Sequence, residues 1–155
     1  MKLKAISILI CALLISTIGI ASADWSPGDG HKMHFPQMPD PHGWDVDWGL
    51  VYLGDDWRCN ETSYVNDIHF WISWWNDINK TIPWIEISIW SNNPEGPNGW
   101  SIPDEILWER KFNSEEFIVA GPWYGDQGWL EPPLLYYPNN HQEYFQINII
   151  NITNP

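Results

Sequence analysis

Cysteine is nearly absent: the 155 residues hold two, Cys11 and Cys59. Cys11 lies in the apolar start of the chain, so once that segment is removed no intrachain disulfide can form, even in an oxidising compartment. Cys59, beside Trp57 and a strand-like stretch, reads as a buried inert thiol, with an intermolecular disulfide as the alternative. Basic residues are also scarce, seven Lys and Arg against twenty Asp and Glu, for a formal charge of −13. Such a chain repels nucleic acid and anionic lipid, which leaves neutral polymers and cations as partners. The motifs of nucleophilic and phosphate chemistry are missing: no G-x-S-x-G, no Cys–His signature, no phosphate loop. His31, His34, His42, His69 and His141 are scattered, without the spacing of a zinc site. No catalytic residue is assigned.

The first 23 residues read as an export signal. Lys2 and Lys4 precede an apolar run from Ala5 to Ile20, and Ala21-Ser22-Ala23 has the small-residue pattern of a cleavage site. The run is short for a bilayer span, so no membrane span is expected after cleavage. Removal takes two lysines and no acid, leaving residues 24–155 more acidic still. The expected location is secreted or at the cell surface.

Residues 24–43 read as an extended, Pro-rich lead-in packing through Met33, Phe35 and Met38, and 44–155 as one domain. Thirteen prolines and eleven glycines are spread through the chain, and no stretch longer than a turn carries a helical period. Strands are expected near 44–48, 50–58, 65–75, 84–91, 105–112, 116–120 and 143–150. The fold class is all-β, an antiparallel β-sandwich of jelly-roll-like form.

Thirteen tryptophans fall between Trp25 and Trp129. A domain this small cannot bury them all at its centre, so some must form surfaces. Two segments say where. In 65–75, Ile68, Phe70, Ile72 and Trp74 alternate with Asp67, His69, Trp71, Ser73 and Trp75. In 84–90, Ile85, Ile87 and Ile89 alternate with Trp84, Glu86, Ser88 and Trp90. Each strand therefore has one core face. Joined by turn-rich 76–83, the two read as an antiparallel hairpin with Trp75 opposite Trp84. Its outer face would carry Trp71, Trp75, Trp84 and Trp90 among His69, Glu86 and Asp67, a platform suited to stacking a sugar ring. The competing reading lays a loop over these rings: residues 121–142, with Trp123, Tyr124, Trp129, Tyr136 and Tyr137, would make a second small core.

The acidic residues raise a cation site: Asp55, Asp56 and Asp126 are the candidate ligands for a structural Ca²⁺, against ordinary surface charge. No other cofactor is implied. Asn60, Asn79 and Asn151 each begin an N-x-Ser/Thr triplet, candidates for glycosylation.

The succession HKMHFPQMPDPHGWDVDW (31–48), LGDDWRC (53–59), VNDIHFWISW (65–74), IEISIWSNNPEGPNGWSIPDEILWER (85–110) and YYPNNHQEYFQINI (136–149) resembles an uncharacterised domain of exported bacterial and archaeal proteins. The hallmarks of that family run L-A-D-D-W-x-C, D-I-H-x-W and S-x-P-x-x-x-L-W-E-R. The resemblance implies an extracellular β-sandwich, often one module of a longer polypeptide, and brings no activity with it. Gly54 stands where alanine is usual, and relatives continue past the position of Asn154-Pro155, so either the sandwich lacks a closing strand and exposes the edge of 143–150 or the sequence is truncated at its C-terminus. Taken together, the leading reading is an exported binding module for extracellular polysaccharide or other cell-surface material. The rival is a structural surface-layer module with all aromatics packed, and a glycoside-active enzyme comes third.

Overall fold

The computed structural model describes residues 26, 28–29, 37–49, 51–58 and 62–153. Residues 1–23, Met33, Phe35, Cys59 and Asn60 lie outside them. The described residues form six strands: β1 (Trp44–Val46), β2 (Ile68–Ser73), β3 (Trp84–Asn93), β4 (Ile102–Asn113), β5 (Ile118–Glu131) and β6 (Leu135–Ile149), with a 3₁₀ turn at Trp75–Asp77. They make a four-stranded sheet in the order β1-β5-β6-β2 and a two-stranded sheet of β3 and β4. Every pairing is antiparallel except β1 with β5. This is the expected β class in two packed layers. Neither sheet closes into a barrel, and a jelly roll would need eight strands where the described residues supply six.

The core lies between the sheets. Ile147 and Ile149 of β6 pack with Ile85 of β3, Phe112 of β4 and Ile152, bordered by Ile68, Phe70, Ile72, Ile87 and Trp108. Both alternating apolar sets therefore point inward, as their period requires. The hairpin itself is overturned. β2 pairs with β6, Phe70 opposite Ile147, while β3 pairs with β4, Ile85 opposite Phe112. Alternation states which face is buried, and two apolar faces can meet across a sandwich as well as lie side by side in one sheet. Residues 74–83 carry the chain from one layer to the other. Asn76 and Asp77 take positive φ of 52° and 55°, and the Asp77 carboxylate accepts the Gln142 and Glu143 amides, docking the turn on β6.

Two further expectations fail. Residues 51–58 form no strand and are exposed; Asp55 instead turns back to accept the Asp56 amide and the Gln37 side chain. Residues 121–142 are no loop but most of the β5–β6 hairpin. Gly121, Pro122, Gly125, Gly128 and Pro138 fall at bulges, where the register shifts between Ala120 and Trp123, Tyr124 and Gln127, and Gln127 and Trp129, and Pro132 and Pro133 lie in the turn. A bulge spares the chain a ladder bond that proline cannot make.

The end of the lead-in is tied to β5. The Asp40 carbonyl accepts from Gln127 Nε2 at 2.8 Å and the Gly43 carbonyl from the Gly128 amide at 3.0 Å. A Cβ at Gly125 would strike the Pro41 carbonyl, and one at Gly128 would meet the Trp44 ring at 2.5 Å. Glycine is required at both approaches. Met38, expected to pack, is instead 49% exposed.

The β4–β5 turn is closed by Glu116, which accepts the Asn113 amide at 2.9 Å and Arg110 Nη2 at 2.8 Å. The Asn113 amide, then Arg110, hold its carboxyl below the ordinary carboxylate range. A depressed carboxylate contributes stability above the unfolded-state pKa and loses it as pH falls through the folded one. Glu116→Gln is expected to flatten the acid limb of the melting temperature against pH; superimposable limbs would count against this role.

Candidate functional site

Three groups of side chains stand out: aromatics on the four-stranded sheet, aromatics on the outer face of the two-stranded sheet, and a buried polar network at the junction of β1, β5 and β6.

On the four-stranded sheet, Trp71 meets Trp123 at 5.1 Å and Tyr144 at 5.8 Å between ring centroids, both edge to face. Trp75 meets Tyr137 at 4.7 Å and Trp129 at 5.7 Å, also edge to face. These are the packed geometries that the ring quadrupole favours. Trp71 is half-buried and Trp129 buried. Of the segment 121–142 expected to lie over all four tryptophans as a loop, Trp123 meets Trp71, and Trp129 and Tyr137 meet Trp75, delivered by strands, with Tyr144 added from beyond that segment. Trp74 likewise rests on Phe145. His69 points Nδ1 at Asn148 Oδ1, 2.7 Å away, and its Nε2 is 3.9 Å from Asp67.

The two-stranded sheet differs. Trp84 and Trp90 are 45% and 44% exposed. Both belong to the outward set of β3, with Glu86 and Ser88 between them. Cross-strand register sets Glu86 opposite Lys111 and Ser88 opposite Glu109. Lys111 Nζ sits 4.0 Å over the Trp84 ring, and Trp90 Nε1 donates to Ser88 Oγ at 2.8 Å. The single expected platform is thus divided. Trp71, Trp75, His69 and Asp67 stand on or beside β2, and Trp84, Glu86 and Trp90 on β3, in different sheets.

Sequence reasoning missed the polar network. His141, its side chain wholly buried, has Nε2 3.0 Å from Asp45 Oδ2 and 3.1 Å from Gln127 Oε1. Nδ1 faces Asn140 Oδ1 at 3.3 Å. The Ser73 hydroxyl donates to the same Asp45 oxygen, and Trp129 closes the site edge-on to the imidazole. The chain-order signal was slight, since Ser73, Asp45 and His141 are far apart in sequence. Nor is this a serine–histidine–aspartate relay, because the hydroxyl bonds the carboxylate rather than the imidazole that would have to take its proton. The network pins β1 to β5 and β6 across the bulges.

Among the described residues, no group of three or more His, Cys, Asp or Glu side chains is placed to share a metal ion. Asp55, Asp56 and Asp126 are not brought together in such a group, and Asp126 Oδ1 accepts from Gln142 Nε2. Asn79 and Asn151 are exposed. No helix among the described residues is long and apolar enough to cross a membrane.

No curated protein and no solved structure matches the chain. A family model described as a domain of unknown function, DUF7901, matches residues 33–155, a span that takes in both sheets, the tryptophan surfaces and the buried network. The chain belongs to the DUF7901 family.

Proposed function

We propose that the domain is an exported, non-catalytic module that binds a neutral extracellular saccharide on the outer face of the β3–β4 sheet. The observation that carries this is the pair Trp84 and Trp90, both exposed on one face of one strand. Six residues of strand separate them by about 20 Å, room for several sugar rings. An aromatic face offers stacking area to the C–H face of a pyranose, and Glu86, Ser88, Glu109 and Lys111 between and beside the rings supply acceptors and donors for its hydroxyls. The acidic net charge disfavours an anionic polymer. The basic start, apolar run and Ala21-Ser22-Ala23 site support export.

Indole fluorescence titrated with neutral oligosaccharides of four to six rings is expected to shift. Trp84→Ala or Trp90→Ala should weaken that binding tenfold or more while changing folding stability by only about 0.5 kcal/mol, as at other surface positions. Binding indifferent to both substitutions would sink the proposal. A structural module is the second reading, favoured by the packing of Trp75 on Trp129 and Tyr137. It expects Trp75→Ala to destabilise the fold and no saccharide to be bound.

A further inference from the structure

The segment Trp84-Ile85-Glu86-Ile87-Ser88-Ile89-Trp90 is close to a palindrome about Ile87. β3 pairs only with β4 among the described residues, so its other edge is open. We propose that this edge pairs antiparallel with the same edge of a second copy of the chain, about a two-fold axis through Ile87, to give a continuous sheet β4-β3-β3-β4.

The symmetric register is complementary at every position. On the outer face Trp84 meets Trp90 of the other copy twice, and aromatic cross-strand pairs are among the more favourable. Glu86 meets Ser88, so no like charges stand opposite each other and each carboxylate gains a hydroxyl. On the inner face Ile85 meets Ile89, and Ile87 meets Ile87. Ile87 and Ile89 are only half-buried in the single chain, so the second copy covers apolar area that the two-stranded sheet leaves open. The contact is isologous and closes at two copies.

Two of the other edges are protected in the ways that natural sheets use, while β2 also leaves an edge open among the described residues but lacks a self-complementary sequence. β4 carries the extra residues at both register shifts in the β3–β4 ladder, and it also carries Pro103. β1 covers part of β5. β3 itself holds no inserted residue at those shifts, has Glu86 as its one charge, and is bounded by Pro83 and Pro94. The assembly does not rest on the saccharide reading, and is measured with no saccharide present, so either can fail alone.

Sedimentation equilibrium of the processed chain is expected to show a concentration-dependent dimer. Ser88→Glu sets a carboxylate against Glu86 at two symmetry-related places and should raise the dissociation constant at least tenfold. Ser88→Lys sets an ammonium there and should lower it. Circular dichroism and melting of each variant report the fold of the single chain. In a Cys59→Ser background, the Glu86→Cys/Ser88→Cys double variant should oxidise to a covalent dimer, a readout independent of the charge variants. A chain that stays monomeric to about 1 mM, charge variants that move the dissociation constant in the same direction, or a double variant that oxidises without cross-linking would each overturn the proposal.

Discussion

Replacing Ile147 by alanine is expected to cost about 2–5 kcal/mol of folding stability, a large share of what a domain of this size has. Ile147 is fully buried, sits opposite Phe70 of β2 and Val119 of β5, and belongs to the cluster that also holds Ile85 and Phe112 of the facing sheet. Truncation therefore leaves a cavity where both layers meet, and neither sheet can collapse into it without moving the other. Ile118→Ala makes the comparison, because Ile118 begins β5 but is 45% exposed. That change should stay within about 0.5 kcal/mol. Urea denaturation followed by indole fluorescence reads both. Equal midpoints for the two variants would mean that the core does not lie where β6 faces the two-stranded sheet.

His141→Leu is expected to be nearly as damaging, for a different reason. Leucine can fill much of the space, but it leaves Gln127 Oε1 without a donor and deprives Asp45 of one of its two partners, Ser73 being the other. The stranded oxygen of buried Gln127 costs about 1–3 kcal/mol, and the loss at Asp45, which is partly exposed and keeps Ser73, adds less. The loss should be local as well as global. β1 is three residues long and is held through the Gly128 and Asp47 amides in addition to this network, so hydrogen exchange at Asp47 should quicken in the variant. Asp45→Ala removes the same interaction from the other side. The double variant should fall short of the sum of the two single ones by about 0.5–3 kcal/mol, as groups in one network do. Strict additivity would show that His141 and Asp45 stabilise the fold independently, contrary to the 3.0 Å contact between them.

The core faces of β2 and β3 could be read from the chain because side-chain direction in a strand follows from its period of two, with no knowledge of neighbours. Ile68, Phe70, Ile72, Ile85 and Ile87 all border or form the core. The all-β class and the absence of a lasting helical period were legible for the same local reason. Partner choice was not. It depends on residues remote in sequence: β2 found its partner in β6, 70 and more residues on, and the 121–142 part of the β5–β6 hairpin was hidden by the Gly and Pro residues at its bulges and turn.

Tryptophan content alone required aromatic surfaces, since thirteen indoles exceed what one small core can enclose. Which of them pack and which stay open was decided by the division of β2 and β3 between two sheets. Trp71 fell beside strands rich in Trp and Tyr and is half-buried, and Trp75 packs on Trp129 and Tyr137 yet stays 37% exposed, whereas Trp84 and Trp90, on the two-stranded sheet, are 45% and 44% exposed. Burial is a property of what lies above a side chain, and that is supplied by tertiary contacts rather than by the residue's own neighbours in the chain. His141 makes the same point from the polar side: an isolated histidine in the sequence became a buried tie because Asp45, Ser73 and Gln127 arrived from three other strands.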